Sequence, residues 1–168
     1  KNAGKTSTLN HLINSAKEKG EKLGLTSTGL DGEPLDYLTG KKKPRIYCPA
    51  GTVVATAREA LKVSTAVFDN IESAGVNTSL GEVVVAEVKK EGLVEMAGPL
   101  YARELKVLLE MMSLRRVDRA FVDGSLDRKA AGRILDHVVL ATGAVNSPNM
   151  KEAVEKTGNL VRQITIPS

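Results

Sequence analysis

The chain opens with the sequence KNAGKTST at positions 1–8. This is the second half of a phosphate-binding loop of the form G-x-x-x-x-G-K-[ST], with Lys1 in the third position of the motif. The first glycine of the motif, and the strand that normally leads into it, would both precede Lys1. We therefore expect this sequence to be a piece of a longer chain, which would bind its ligand better than the piece does.

The residue types in this segment suit a bound phosphate group. Gly4 has no side chain, so the neighbouring backbone N–H groups can approach phosphate oxygens closely. Lys5 would bring a positive charge to the β- and γ-phosphates, and Thr6 would offer its hydroxyl to Mg²⁺. We expect a nucleoside triphosphate whose phosphates contact Asn2, Ala3, Gly4, Lys5, Thr6 and Ser7.

The residues after the motif strengthen this interpretation. Apolar residues recur at helical spacing and predict a helix over 5–19, namely Leu9, Leu12, Ile13 and Ala16. The N-terminus of that helix would attract the phosphates, because its N–H groups are unsatisfied and its dipole is positive there. The alternative is a chance Gly-Lys-Thr tripeptide at the start of a helix.

Composition narrows the class of protein and of partner. The 168 residues suit one domain, and with 3 % aromatic residues the core must be aliphatic. Scarce aromatic side chains argue against nucleic-acid binding by base stacking, although the net charge is +4. A single cysteine, Cys48, and the absence of a long apolar run predict a cytoplasmic protein that is not in a membrane.

The pattern along the chain predicts an α/β fold. Runs of β-branched residues alternate with segments of helical spacing, which is typical of a doubly wound, mostly parallel sheet covered by helices. Helices are predicted for 5–19, 56–61, 101–113, 127–134 and 148–156, and strands for 22–28, 45–48, 51–54, 119–122, 137–140 and 160–166. The region of about 41–98 is less regular, and it reads as an insertion in which the runs 82–88 and 93–96 either form a β-hairpin or flank a longer loop.

Two acidic residues follow predicted strands and are candidates for the metal site. Asp123 ends the run Ala-Phe-Val-Asp, which is the usual form of a Walker B element whose aspartate holds Mg²⁺. Asp31 comes soon after the strand that follows the first helix, and it suits a carboxylate that orients Mg²⁺ or the attacking water. Each precedes a glycine, so each is alternatively a turn residue.

These residues predict phosphoryl transfer to water. Lys5 and Mg²⁺ would offset the developing negative charge, and Asp31 would orient the water molecule. ATP is the default nucleotide because no base-reading Asn-Lys-x-Asp motif appears, and GTP stays open. Such a site usually drives a conformational change on hydrolysis.

The opening segment resembles the signal-recognition, MinD and BioD class of P-loop proteins, in which an acidic residue at the position of Asp31 often serves the metal. This resemblance implies a P-loop NTPase-like three-layer sandwich over 1–168, without its first strand. Segments 25–33, 43–47, 51–57 and 122–128 together resemble the reactivase subunits associated with cobalamin-dependent lysine and ornithine aminomutases. That resemblance implies an ATPase that acts with a second reactivase subunit to release damaged cobalamin from an aminomutase.

Other functions are compatible with the same residues. A small-molecule kinase or ligase of this fold would need a specific acceptor, and a scaffold module with a degenerate loop would bind nucleotide without hydrolysing it. A homodimer is also left open. The cobalamin motif Asp-x-His-x-x-Gly is absent from the sequence, so no cobalamin site is expected in this chain.

Overall fold

The computed structural model describes residues 4–28, 45–124, 134–142 and 149–165, and these form an α/β structure. The helices in the described residues are α1 (Lys5–Glu18), α2 (Arg58–Lys62), α3 (Ala102–Leu114) and α4 (Met150–Thr165). The strands are β1 (Leu23–Ser27), β2 (Arg45–Cys48), β3 (Val53–Ala57), β4 (Val67–Thr78), β5 (Gly81–Lys90), β6 (Gly92–Glu95) and β7 (Arg119–Asp123).

Five strands form one mixed sheet in the order β4-β5-β3-β1-β7. The strand β1 lies parallel to both β3 and β7, whereas β5 lies antiparallel to both β3 and β4. The predicted α/β class is therefore confirmed, while the described sheet is mixed, with two parallel and two antiparallel strand pairs. The antiparallel pairs come from the hairpin of β4 and β5, which adds two strands beside β3.

The central strands β1 and β3 are buried along their whole length. On one face, Leu25 and Val54 pack with Ile13 of α1 and with the separate two-stranded sheet of β2 and β6. On the other face, Val53 packs with Leu108 of α3. Strands buried on both faces read as continuous apolar runs rather than as alternating ones. The sequence placed β1 closely, but it predicted the strand at 51–54 where β3 is Val53–Ala57, and it assigned Thr56 and Ala57 to the following helix.

Of the two arrangements left open for the middle of the chain, the structure does not contain the hairpin of the runs 82–88 and 93–96. The run 82–88 lies in β5, whose two edges are occupied by β3 and β4, so it does not form a hairpin with the run 93–96. The latter lies in β6 and pairs antiparallel with β2. The sequence does not reveal β4, because this edge strand is mostly exposed and polar, with several register irregularities.

Two strands predicted near the end of the chain are also wrong. Residues 134–142 contain neither helix nor strand, and Val138 and Val139 are exposed, so burial does not favour pairing there. The β-branched residues from position 160 onward continue α4 as far as Thr165. The short helix predicted at 127–134 falls almost entirely outside the described residues.

No helix in the described part of the chain has the length and apolar character needed to cross a membrane. Burial raises the pKa of the Cys48 thiol to about 12. The thiol therefore stays protonated near neutral pH, and Cys48 acts as a small core residue rather than as a nucleophile.

Candidate functional site

The carboxyl ends of β1 and β7 meet at one edge of the sheet. The two strands are parallel and in register, so Ser27 lies opposite Asp123. The N–H of Thr28 donates to the Asp123 carbonyl oxygen at 2.7 Å, which extends the pairing by one residue. Open α/β sheets place ligand-binding groups at this edge, because loops leave the strands there and helices begin there.

The opposite end of β7 is fixed by polar contacts. The Asp118 carboxylate accepts a hydrogen bond from the Lys22 N–H at 2.7 Å. The Arg119 guanidinium donates to both carboxylate oxygens of Glu21, at 2.7 and 2.8 Å, and thereby lowers the pKa of Glu21. These contacts support the backbone pairing of β7 with β1, in which Asp123 lies opposite Ser27.

The N-terminus of α1 lies at the same edge. The ammonium nitrogen of Lys5 is 3.5 Å from Oδ1 of Asp123 and donates to the Gly124 carbonyl oxygen at 3.0 Å. The Lys5 side chain is 43 % exposed and that of Asp123 is 19 % exposed, so the pair is accessible to a ligand. Two residues that the sequence identified separately, 118 positions apart, therefore lie together.

The first turn of α1 has the features of an anion-binding helix terminus. Gly4 precedes the helix with a φ of 86°, in the left-handed region that glycine adopts without strain. In the described residues, no side chain caps this end and no acidic residue lies in the first turn. Thr6 and Ser7 are exposed beside Lys5. The other expected loop residues, Asn2 and Ala3, lie outside the described residues, and so does Asp31.

Hydroxyl side chains that the sequence analysis did not select line the end of β1. Thr26, Ser27 and Thr28 are all nearly buried. The Ser27 hydroxyl accepts a hydrogen bond from the Gly98 N–H at 3.0 Å. The sequence feature that could have identified these three residues is the run Thr-Ser-Thr at the end of a predicted strand.

The chain around Gly98 covers the ends of β1 and β3. The Ala57 N–H donates to the Ala97 carbonyl oxygen at 2.9 Å, and the Ala97 N–H donates to the Thr56 hydroxyl at 2.8 Å. A β-carbon on Gly98 would lie 1.8 Å from the Ser27 carbonyl oxygen, so the two backbones are in direct contact. The Gly98 segment thus lies on the β3 side of this edge, whereas the Lys5 side chain of α1 reaches the end of β7.

Gly124 is held against Thr28. A β-carbon on Gly124 would lie 2.6 Å from the Thr28 hydroxyl oxygen. The Gly124 carbonyl oxygen is also the acceptor for Lys5. The close approach of Gly124 to Thr28 therefore fixes the direction of the backbone that receives the Lys5 ammonium.

Gly124→Ala is expected to lower the free energy of unfolding by about 1–3 kcal/mol, because the new methyl group would overlap the Thr28 hydroxyl. Thr28→Ala removes that oxygen, so the double variant should lose less stability than the sum of the single variants. Urea unfolding of all four proteins measures this coupling. Purely additive losses would contradict the proposed steric contact.

The oxygen atoms at this edge are of the kind that can coordinate a magnesium ion. Mg²⁺ prefers hard oxygen ligands, and it commonly takes one or two protein ligands together with phosphate oxygens and water. The Asp123 carboxylate and the Thr6 hydroxyl are ligands of this kind. Nowhere in the described residues do three or more His, Cys, Asp or Glu side chains cluster around a common point.

Comparison with known proteins gives no match: no family model, no curated protein and no solved structure is similar to this chain.

Proposed function

We propose that this chain binds a magnesium-bound nucleoside triphosphate where α1 meets the ends of β1 and β7, and hydrolyses it. The fold would then be a P-loop NTPase-like sandwich, with ATP as the default nucleotide and GTP left open. The contact of Lys5 with Asp123 and Gly124 carries the proposal. This contact brings the lysine of the incomplete phosphate-binding loop next to the aspartate of the run that resembles a Walker B element.

Each residue has a defined part in this proposal. The backbone N–H groups of Gly4 to Ser7, with those of Asn2 and Ala3, would hold the phosphates. Lys5 would move from Asp123 to the terminal phosphates, and Thr6 and Asp123 would hold the metal. Asp31 would orient the metal or the attacking water. When bound, Mg²⁺ would offset the negative charge on the phosphates.

The reaction would serve a conformational change in a complex with another protein. This part rests on the resemblance to reactivase subunits, so we propose a cobalamin-dependent aminomutase and a second reactivase subunit as partners. The Thr28–Asp123 hydrogen bond supplies a physical link, because it connects the proposed site to β1 and, through Ser27, to Gly98 at the start of the segment that leads into α3.

Phosphate release from Mg·ATP by the intact protein tests this function. We expect slow release by the protein alone and faster release when the aminomutase is added. Stimulation by a small-molecule acceptor, with transfer of the phosphate to that acceptor, would instead identify a kinase or ligase. Binding of Mg·ATP with no phosphate release under any of these conditions would identify a scaffold module.

A further inference from the structure

Helix α3 carries apolar side chains on its exposed side as well as on its buried side. Its buried residues are Leu105, Leu108 and Met112, and the last two pack against the sheet. Val107 and Leu114, by contrast, are 38 % and 85 % exposed. These two residues are seven positions apart, which is about two helical turns, so they lie along one line of the helix surface.

Two side chains of opposite charge flank Val107 along this line. Arg103 comes about one turn before Val107, and Glu110 comes about one turn after it, and both are exposed. The exposed ring of Tyr101 lies near the start of the helix, where the Arg103 guanidinium carbon is 5.5 Å from the ring centre. The outer α3 face, formed by these four residues and Leu114, therefore alternates apolar, positive, apolar, negative and apolar.

This pattern is complementary to itself when a second copy of the helix runs in the opposite direction. In an antiparallel pair centred on Val107, Arg103 of one copy lies opposite Glu110 of the other, and Tyr101 lies opposite Leu114. The charged flanks meet correctly, because Arg103 and Glu110 lie on the same side of the line through Val107. Helix α3 has two basic and two acidic side chains, so it offers a second copy no net repulsion, although the chain has a net charge of +4.

We propose that two copies of this chain associate through the outer α3 face, with the two helices antiparallel and the twofold axis at Val107. Helix α3 and helix α1 cover opposite faces of the sheet, because Leu108 packs with Val53 whereas Ile13 packs with Val54. The pairing therefore leaves the N-terminus of α1 uncovered and needs no nucleotide. The inference goes beyond the proposed function and does not depend on it.

The size of α3 sets the strength of the association. The helix has 13 residues, so it is about 20 Å long. One pair of such helices buries less than the roughly 800 Å² per partner that is usual in stable complexes. We therefore expect a reversible dimer that is largely formed at about 100 µM and largely dissociated at about 1 µM.

Sedimentation equilibrium of the intact protein over this concentration range, with and without Mg·ATP, tests the proposal. The same monomer–dimer equilibrium is expected in both buffers. Val107→Asp would place two carboxylates at the twofold axis and should weaken the dimer by at least about tenfold. Val154→Asp is the matched control, because it changes an exposed valine of another helix, α4, and it should leave the equilibrium as in the wild type.

Three results of this experiment would overturn the inference. The first is a wild-type protein that stays monomeric at every concentration. The second is a dimer that forms only with Mg·ATP, since it would then be joined at the nucleotide site. The third is an equal loss of association in Val107→Asp and Val154→Asp, which would make α4 part of the contact.

Charge reversal tests the antiparallel arrangement. Arg103→Glu and Glu110→Arg should each weaken self-association by about tenfold, because each variant places like charges opposite each other. When the two variants are mixed in equal amounts, they should form a heterodimer about as stable as the wild-type dimer, since each supplies the charge that the other lacks. Single variants that self-associate as the wild type does, or a mixture that stays monomeric, would overturn the inference.

Discussion

Lys5→Ala is expected to lower the rate of nucleotide hydrolysis by at least about 100-fold, the size of loss seen when one preorganised group that stabilises transition-state charge is removed. In the proposed site, the ammonium group of Lys5 would bring positive charge to the transferring phosphate. In its absence, Mg²⁺ alone would have to offset the negative charge that develops on the phosphates. Steady-state phosphate release by the intact protein measures the effect.

Lys17→Ala is the control for this variant. Lys17 lies in the last turn of the same helix and is exposed, so its removal changes the net charge equally but far from the proposed site. Its hydrolysis rate should match that of the wild type. A Lys5→Ala protein that hydrolyses ATP at the wild-type rate would mean that the phosphate-loop interpretation of residues 1–8 is wrong.

Gly98→Ala is expected to have the largest effect on stability, a loss of about 3 kcal/mol or more in the free energy of unfolding. The added β-carbon would lie 1.8 Å from the Ser27 carbonyl oxygen. Backbone atoms cannot move aside as a flexible side chain can. The segment would have to shift, and the hydrogen bond from the Gly98 N–H to the Ser27 hydroxyl would be lost. Urea unfolding measures the change.

Gly158→Ala makes the same substitution where the structure leaves room. Gly158 lies within α4, and among the described residues a β-carbon there would approach the end of the Arg162 side chain, at 4.0 Å. Alanine favours helix over glycine by up to about 1 kcal/mol, so this control should be as stable as the wild type or more so. A Gly98→Ala protein whose stability stays close to that of the wild type would contradict the backbone contact.

The elements that the sequence predicted well are those whose pattern is set by local burial. Helix α1 begins at Lys5, as expected from its apolar spacing, and Gly20 follows its end with a φ of 72°. The strands β1 and β7 also fall where their apolar runs indicated. A buried face leaves a periodic pattern whatever the rest of the chain does.

The elements that the sequence did not predict depend on partners far along the chain. The strand β4 is polar and mostly exposed, so only its pairing with β5 reveals it. Likewise, nothing local in 93–96 indicates that this run pairs with 45–48 rather than with its neighbour. In α4, β-branched residues favoured a strand over the end of a helix. Propensity is a weak guide where tertiary contacts decide.

The residues of the candidate site also fall into two groups, those that the sequence identified and those that it did not. Lys5 and Asp123 were identifiable because each belongs to a short motif with a chemical reason. Thr28 and Gly124 were not, because their importance comes from a close contact between the ends of two strands. A motif shows which residue types could act, whereas the position of a neighbouring backbone is a property of the folded chain.

Calorimetric titration of Mg·ATP into the intact protein tests the proposed nucleotide site. We expect a single saturable site, displacement by ADP, and loss of binding in Lys5→Ala but not in Lys17→Ala. Titration with Mg·GTP should be run beside it, since the nucleotide base is left open. No measurable binding of either nucleotide, or equal binding by the Lys5→Ala protein, would contradict a phosphate site at the N-terminus of α1.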